Sequence, residues 1–496
     1  MAGRGMDTQV IVVGAGPVGL MLAGELRLGG AEVTVLERRR RPSTESRAST
    51  VHARTMEILD SRGLLGRLGE PPNEPRGHFG GVPLDLTLPS RYPGQWKVPQ
   101  TRVEELLAHW ATGLGADVRR EWDLVELAQD AMSVQITADT SRGPRRLRAD
   151  YLVGCDGEDS TVRELTGAPF PGWPARRELL RADVAGIDIP NRRFQRLAHG
   201  LAIAARNKDG VTRVMVHEFG ADPPTFAGTP DFGQLVDRWK RVTGEDISGG
   251  EPLWVNSFGD ANAQLTRYRD GRVLYAGDAA HRQLPAGGQA LNLGLQDAVN
   301  LGWKLALRVR GRTADELLDT YHAERHAVGA RVLANIRAQA LLLLGGPEVE
   351  PVRTLLGELI GHERVRARLA GTISGLDIRY PVGPDDPPLV GARLPDVELD
   401  TPDGPTSTTA LLRAGRGLLL DFATGPVAPP ERIVGRWSDR VNGVAAAHRV
   451  GAGGDPLSDA PAVLVRPDGY VAWIGSPESG LLDALRRWFG PPNAGR

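Results

Sequence analysis

Residues 9–19, Gln9-Val10-Ile11-Val12-Val13-Gly14-Ala15-Gly16-Pro17-Val18-Gly19, decide the fold. The run of β-branched residues predicts a short buried strand, and Leu20, Leu22, Ala23 and Leu26 beyond the glycines repeat at helical spacing. Gly14 permits the tight turn between them, Gly16 lets the backbone approach a pyrophosphate, and Gly19 lets helix and strand pack closely. The helix N-terminus, opened by Pro17 and Val18, adds N–H groups and a partial positive charge. A second strand, Val33 to Glu37, completes a βαβ unit. Glu37 stands where a carboxylate accepts both ribose hydroxyls and repels a 2′-phosphate, which disfavours NADP at this site. A glycine turn alone is weak evidence and also occurs in unrelated α/β folds; a strand before it and a helix after it make it specific.

Two later motifs select the dinucleotide. Leu152-Val153-Gly154-Cys155-Asp156-Gly157, with Ser160 and Arg163 beyond, ends a predicted strand. Tyr275-Ala276-Gly277-Asp278-Ala279-Ala280-His281 ends another and leads through Pro285, Gly287, Gly288, Gln289 and Ala290 to Leu291 and Asn292 at a helix start. An Asp at a strand end suits a ribityl hydroxyl. The glycine turn offers the Leu291 and Asn292 N–H groups to an electron-rich flavin edge, where a helix N-terminus stabilises an anionic reduced ring. The ligand indicated is FAD.

Composition narrows the rest. The 496 residues are 41% hydrophobic and 24% charged, ordinary for a folded protein of two to four domains. A net charge of −1 gives no field favouring nucleic acid or an anionic membrane, and Arg38 to Arg41 reads as a solvated loop. Cys155 is the only cysteine, which excludes disulfides, CxxC redox pairs and Cys-rich metal sites; no metal is expected. No run of about 18 apolar residues predicts a membrane span, and the expected location is cytoplasmic.

Periodicity predicts helices over Thr55 to Arg67 and Arg102 to Leu114, and strands over Val118 to Glu121, Ser133 to Thr137 and Leu147 to Val153. Between residues 170 and 268 short strands (Leu201 to Ala205, Val211 to Glu218) and one helix near Phe232 to Val242 suggest an inserted sheet-rich domain. A long helical stretch runs from Asp297 to about Leu369. After a Pro/Asp-rich linker, strands at Gly417 to Phe422, Ala462 to Val465 and Tyr470 to Ile474 and a helix at Leu481 to Trp488 form a further small α/β unit. The expected organisation is an α/β chain: 1–169 with 269–385 binding the cofactor, 170–268 binding substrate, and 389–496 as a third domain.

The three motifs in this order resemble the single-component FAD monooxygenases of the para-hydroxybenzoate hydroxylase type. Arg47 with His52-Ala53-Arg54-Thr55-Met56-Glu57-Ile58, then Pro99-Gln100-Thr101-Arg102 and Asn300-Leu301-Gly302-Trp303-Lys304-Leu305, are similar more narrowly to the bacterial aromatic polyketide hydroxylases. Leu394-Pro395-Asp396 and Leu464-Val465-Arg466-Pro467-Asp468-Gly469 fit the entry and final hairpin of that family's C-terminal thioredoxin-like domain. The resemblance implies a Rossmann-type fold with inserted substrate domain, non-covalent FAD contacted by Arg38, Arg47, Gln100, Leu124 and Asp278, and Asp156 where cofactor and nicotinamide binding are coupled. Ala290 departs from the Gly of many relatives. The third domain, having no cysteine, is expected to pack or dimerise, so the protein is a monomer or homodimer.

No second GxGxxG is present, so NADPH or NADH is implied as a transient co-substrate. The resemblance implies that O2 then gives a C4a-(hydro)peroxyflavin, expected to oxygenate a polycyclic aromatic polyketide. The same chemistry serves Baeyer–Villiger insertion, epoxidation, ring cleavage or inactivation of an antibiotic such as a rifamycin. A halogenase of related fold would need a Trp-x-Trp-x-Ile motif, which the chain lacks; a non-catalytic FAD-binding interaction protein is the remote alternative. A phenol reacts faster as phenolate, so a base is useful. Its candidates are His217, Arg267 and Tyr268, although a lone His on a strand is more often structural. Phe79, Trp96, Phe219 and Pro285 are candidates for an apolar substrate lining, where aromatics are more often simply core. His281 is expected to brace the turn beside Asp278.

Overall fold

The computed structural model describes residues 6–43, 48–221, 230–381, 383, 387–422, 434–448, 457 and 460–493. The β-branched run folds as the strand Thr8–Val13 at the centre of an eight-stranded sheet. It pairs in parallel with Val33–Glu37 on one side (Val10 opposite Val33) and with Arg145–Gly154 on the other (Val10 opposite Tyr151). Val273–Tyr275 adds to that second neighbour in parallel, with Leu152 opposite Val273. Since these four strands run the same way, Gly14, Glu37, Cys155 and Gly277 all emerge at one carboxyl edge. That edge is where open α/β sheets bind their ligands. The strands are buried on both faces: the helix Pro17–Leu28 packs against Gln289–Val309, and Leu124, Val134, Ile136 and Ala138 of the hairpin formed by Trp122–Gln129 and Val134–Thr140 join the same core.

The inserted segment is an antiparallel five-stranded sheet in the order Arg192–Leu197, Gly200–Arg206, Thr212–Glu218, Glu178–Ala185, Glu251–Gly259. Alternation gives it two faces. Leu180, Ala182, Val184, Val214 and Val216 pack on Leu235, Val236 and Trp239 of the helix Phe232–Thr243. Leu179 and Leu201, on the opposite face, pack on Val328, Val332 and Ile336 of the long helix Glu316–Leu344. By length and composition that helix is apolar enough to cross a membrane, but half of the window that meets this measure is buried inside the fold, as in the core helix of a globular protein. Its apolar side is the seat of the inserted sheet, and its first half buries the charged Glu324 and Arg325.

The last unit is a mixed sheet in which Gly417–Asp421 lies parallel to Val441–Ala445 and antiparallel to Ala462–Val465, which pairs in turn with Val471–Gly475. With the helix Leu481–Phe489 on it, this is a thioredoxin-like arrangement without cysteine. Two expected elements are shorter than read. Thr55 to Arg67 is not one helix: Ala53–Asp60 ends before Gly63, at φ +69°, and only Leu65–Leu68 follows as a helix. The helical stretch to Leu369 is divided into Gln289–Val309, Glu316–Leu344, Glu350–Ile360 and Glu363–Ser374.

Candidate active site

A cavity of about 460 Å³ opens along the carboxyl edge. Gly14 turns at φ +104°, and a Cβ there would lie 2.4 Å from the Cys155 carbonyl oxygen. A Cβ on Gly19 would lie 2.0 Å from the Gly14 oxygen, so this glycine serves strand–helix contact and does not line the cavity. A Cβ on Gly16 meets nothing within 4 Å. The space above that residue, at the N-terminus of the helix opened by Pro17, is open to a ligand, and Val18 lines it as well. Glu37 accepts the Ala15 N–H at 2.9 Å and the Arg39 N–H at 2.9 Å, which aims its carboxylate across the turn.

Gln100, Leu124 and Arg38 lie on the cavity wall, as do Asp156, Asp278, Pro285, Ala290 and Leu291. Gly287, Gly288 and Asn292 do not line it, and Arg47 lies outside the described residues. Arg38 to Arg41 is an exposed loop, yet Arg38, Arg39 and Arg41 line the cavity, and Arg120 and Arg282 stand at its rim with the carboxylates of Asp123 and Glu158, Arg282 pairing with Glu158 at 3.2 Å. The guanidinium groups of the 38–41 loop are donors that suit a diphosphate. Glu104, one helical turn beyond Gln100, faces the same space, and burial raises its carboxyl pKa. The Gln100 to Glu104 spacing was the sequence signal for it.

Asp156 is engaged locally. The Ser160 hydroxyl donates to it at 2.6 Å and the Val162 N–H at 3.0 Å, while Ser160 caps the helix Thr161–Thr166. Burial raises its pKa against those donors. Cys155 is buried and its thiol pKa is pushed well up by burial, with Asp156 and Asp297 adding to it. The Asp278 turn is held from behind: the Gly277 N–H donates to Asp297 at 3.2 Å, as do His281 Nε2 and Arg325 Nε, each at 2.7 Å. His281 therefore braces the turn.

The candidate bases lie away from the cavity. His217 has Nδ1 at 2.9 Å from the Glu178 carbonyl and Nε2 at 3.0 Å from that of Leu344, which spends the ring on joining sheet to long helix. Burial lowers its pKa against the pull of both carbonyls. Tyr268 is fully buried, accepts from Gln264 at 2.8 Å, and has its phenol pKa driven up by burial. Arg267 is exposed at the surface. Of the expected apolar lining only Pro285 reaches the cavity. Phe79 is core with Leu84 and Ile360, Trp96 packs edge-on to Tyr92, and Phe219 lies under Arg196. The sheet instead presents Phe258, Asn256 and Arg181. Arg181 donates to Asn256 at 3.1 Å and lies 5.2 Å from the rings of both Trp254 and Phe258. These residues occupy cross-strand positions (Arg181 opposite Asn256, Leu179 opposite Phe258), a pairing that no local pattern announces.

The described geometry is matched by known proteins. Residues 7–336 match the model of the FAD binding domain family, and residues 387–492 match that of the aromatic-ring hydroxylase C-terminal domain. The chain belongs to the FAD-dependent aromatic-ring hydroxylases. It is 43% identical to the 12-dehydrotetracycline 5-monooxygenase/anhydrotetracycline 6-monooxygenase of Streptomyces rimosus, over 98% of this chain and all of that one. It is 41% identical to the rifampicin monooxygenase of Streptomyces venezuelae, over 98% and 99%. The crystal structure of an aromatic hydroxylase from angucycline biosynthesis superposes with a TM-score of 0.94 at 48% identity, covering 98% of this chain and all of the other. This member of the family is thus a flavin-dependent monooxygenase, and the cavity on the carboxyl edge is that of an FAD-binding domain.

Proposed function

We propose that the protein oxygenates a polycyclic aromatic polyketide with NADPH or NADH and O2, in antibiotic biosynthesis. One observation carries the reading: a single continuous cavity runs from the Gly14–Gly16 turn and Glu37, past Asp278 and Leu291, to Arg181 and Phe258 of the inserted sheet. A dinucleotide laid along it ends against a polar and aromatic wall that belongs to another sheet. Bound there, FAD supplies the redox chemistry, accepting hydride from the nicotinamide and activating O2.

The chain's own residues bind, orient and shield. Glu37 suits the ribose hydroxyls, and the open space at Gly16 with the helix N-terminus suits the pyrophosphate. Asp278 suits the ribityl chain, and Pro285, Ala290 and Leu291 suit the ring. The inserted sheet covers the reacting end and excludes water, while the Arg181 guanidinium beside Phe258 suits an oxygen-bearing aromatic edge. Residues 1–169 with 269–385 are read as the cofactor unit, 170–268 as the substrate unit, and 389–496 as the thioredoxin-like unit.

The test is NADPH oxidation and O2 uptake by the purified yellow protein, with anhydrotetracycline and rifampicin as probes and product masses read for one added oxygen. Stimulated turnover with one added oxygen on a polyketide supports the reading. The relation to a rifampicin monooxygenase favours a second reading, antibiotic inactivation, which is supported if rifampicin alone is modified. Absence of flavin, or no stimulation by any polycyclic phenol, sinks both.

A further inference from the structure

The loop between Pro285 and Ala290, two residues of the cavity wall, is built on two consecutive left-handed glycines, Gly287 at φ +64° and Gly288 at φ +68°. Two such residues in a row do not hold one another in place, because glycine leaves both torsions soft. What fixes them comes from 235 residues earlier in the chain. His52 ends the short strand Thr50–His52, is fully buried, and places Nε2 2.8 Å from the Gly287 carbonyl oxygen. Its backbone N–H donates to Asn292 Oδ1 at 2.9 Å. Asn292 Nδ2 in turn donates to the Thr50 carbonyl at 3.0 Å and to that of Gly288 at 2.7 Å. The double turn is thus gripped at both peptides, and the grip is closed by the start of the helix Gln289–Val309.

A carbonyl oxygen only accepts, so Nε2 carries the hydrogen and the ring is the Nε2–H tautomer. Nδ1 is then a buried lone pair, with no hydrogen-bond partner among the described residues. A proton there would be a buried donor without an acceptor. Burial first, and Lys97 on the adjoining strand, hold the pKa at about 4 against the Gly287 contact; His78, also shifted down chiefly by burial, feels the charge of the ring as well.

From this geometry we propose that His52, as the neutral Nε2–H tautomer, is the positioning residue that sets the Gly287–Gly288 turn for the flavin. The inference rests on the FAD reading of the cavity and not on any substrate. It predicts that the hydrogen bond, not the ring, is what counts. His52→Gln keeps a donor at nearly the same reach and His52→Leu removes it. Apoprotein of each variant is titrated with FAD by flavin fluorescence quenching, and amide hydrogen exchange is followed over residues 285–293 before FAD is added.

We expect His52→Leu to weaken FAD binding by about tenfold and to speed exchange in that segment, with His52→Gln within about threefold of wild type. Equal binding and equal exchange in His52→Leu overturn the proposal. Should His52→Leu not fold, the wild-type ring decides: ¹⁵N-histidine resonances of the apoprotein show the Nε2–H tautomer, uncharged at pH 6, or they show an Nδ1–H or titrating ring and overturn it. Wild-type apoprotein that takes up no FAD overturns the proposed function and this inference together, an outcome distinct from a flavin-binding protein indifferent to residue 52.

Discussion

Arg466→Met is the substitution that most directly tests how the third domain is attached. Arg466 is buried at the final hairpin and binds Glu324 of the long helix through Nη1 at 2.6 Å and Nη2 at 2.8 Å. It also binds Asp468 through Nε at 3.1 Å and Nη2 at 2.5 Å. Lys304 Nζ and Asn300 Nδ2 complete the shell of Glu324 at 2.8 and 2.7 Å, and Trp303 Nε1 donates to Asp468 at 3.2 Å. Two cations therefore balance two carboxylates in a buried site, and methionine would leave one cation against two.

Four charge-assisted bonds at about 1.5–3 kcal/mol each give roughly 6–12 kcal/mol gross. Relief of the guanidinium's desolvation offsets several of these, so the expected loss is about 3–5 kcal/mol, a large part of the usual 5–15 kcal/mol margin. The sign with pH follows from Glu324, whose carboxyl burial would raise but Arg466 and Lys304 pull down to about 2. Its stabilisation is complete above the ordinary carboxylate range and is lost as pH falls toward 2. In the variant a carboxyl takes up a proton in the native state at higher pH, so the deficit against wild type is largest near pH 7.5 and smaller near pH 5. Urea unfolding followed by tryptophan fluorescence measures it, Trp303 and Trp488 lying 5.5 and 4.6 Å from the guanidinium. A deficit under about 1 kcal/mol, or one equal at both pH values, refutes the reasoning.

The glycines of the first turn should separate by readout. Gly16→Val folds with normal stability and carries no flavin, because its side chain occupies only open space, whereas Gly14→Ala meets Cys155 and loses about 1–3 kcal/mol from the left-handed backbone alone; a yellow Gly16→Val would remove the turn from the site. His217→Asn and Tyr268→Phe should keep turnover within about tenfold, since loss of a true general base costs at least about a hundredfold; steady-state kinetics with the identified substrate decides. Cys155 should resist a thiol reagent at pH 8 in the native protein and react after denaturation, and fast native labelling would contradict its burial. Arg181→Gln should raise KM for an anionic aromatic by about tenfold or more with kcat little changed, and an unaltered KM would take the residue out of substrate binding.

Local sequence was sufficient wherever a backbone conformation or a chain-local pattern carries the chemistry. The glycine turn at 14–19, Glu37 at the next strand end, and the strands entering Asp156 and Asp278 are each defined within a few residues, and so the fold and the family were legible. The sheet's parallel register then brings these strand ends to one edge without further information. Contacts between distant segments were not legible. Nothing near Arg54 or Lys304 announces that both face the hairpin of residues 466–469, where Arg54 donates to the Asp468 carbonyl at 2.8 Å and Lys304 shares Glu324 with Arg466. The same holds for His52 at Gly287 and for His217, a candidate base in the inserted segment that two carbonyls tie down. Phe79, Trp96 and Phe219 failed as lining because aromaticity does not tell which face of a sheet looks at a cavity. Strand alternation sets a face, but only the packed tertiary structure decides what that face meets, and that is how Arg181 and Phe258 came to line the same cavity as Pro285, Ala290 and Leu291.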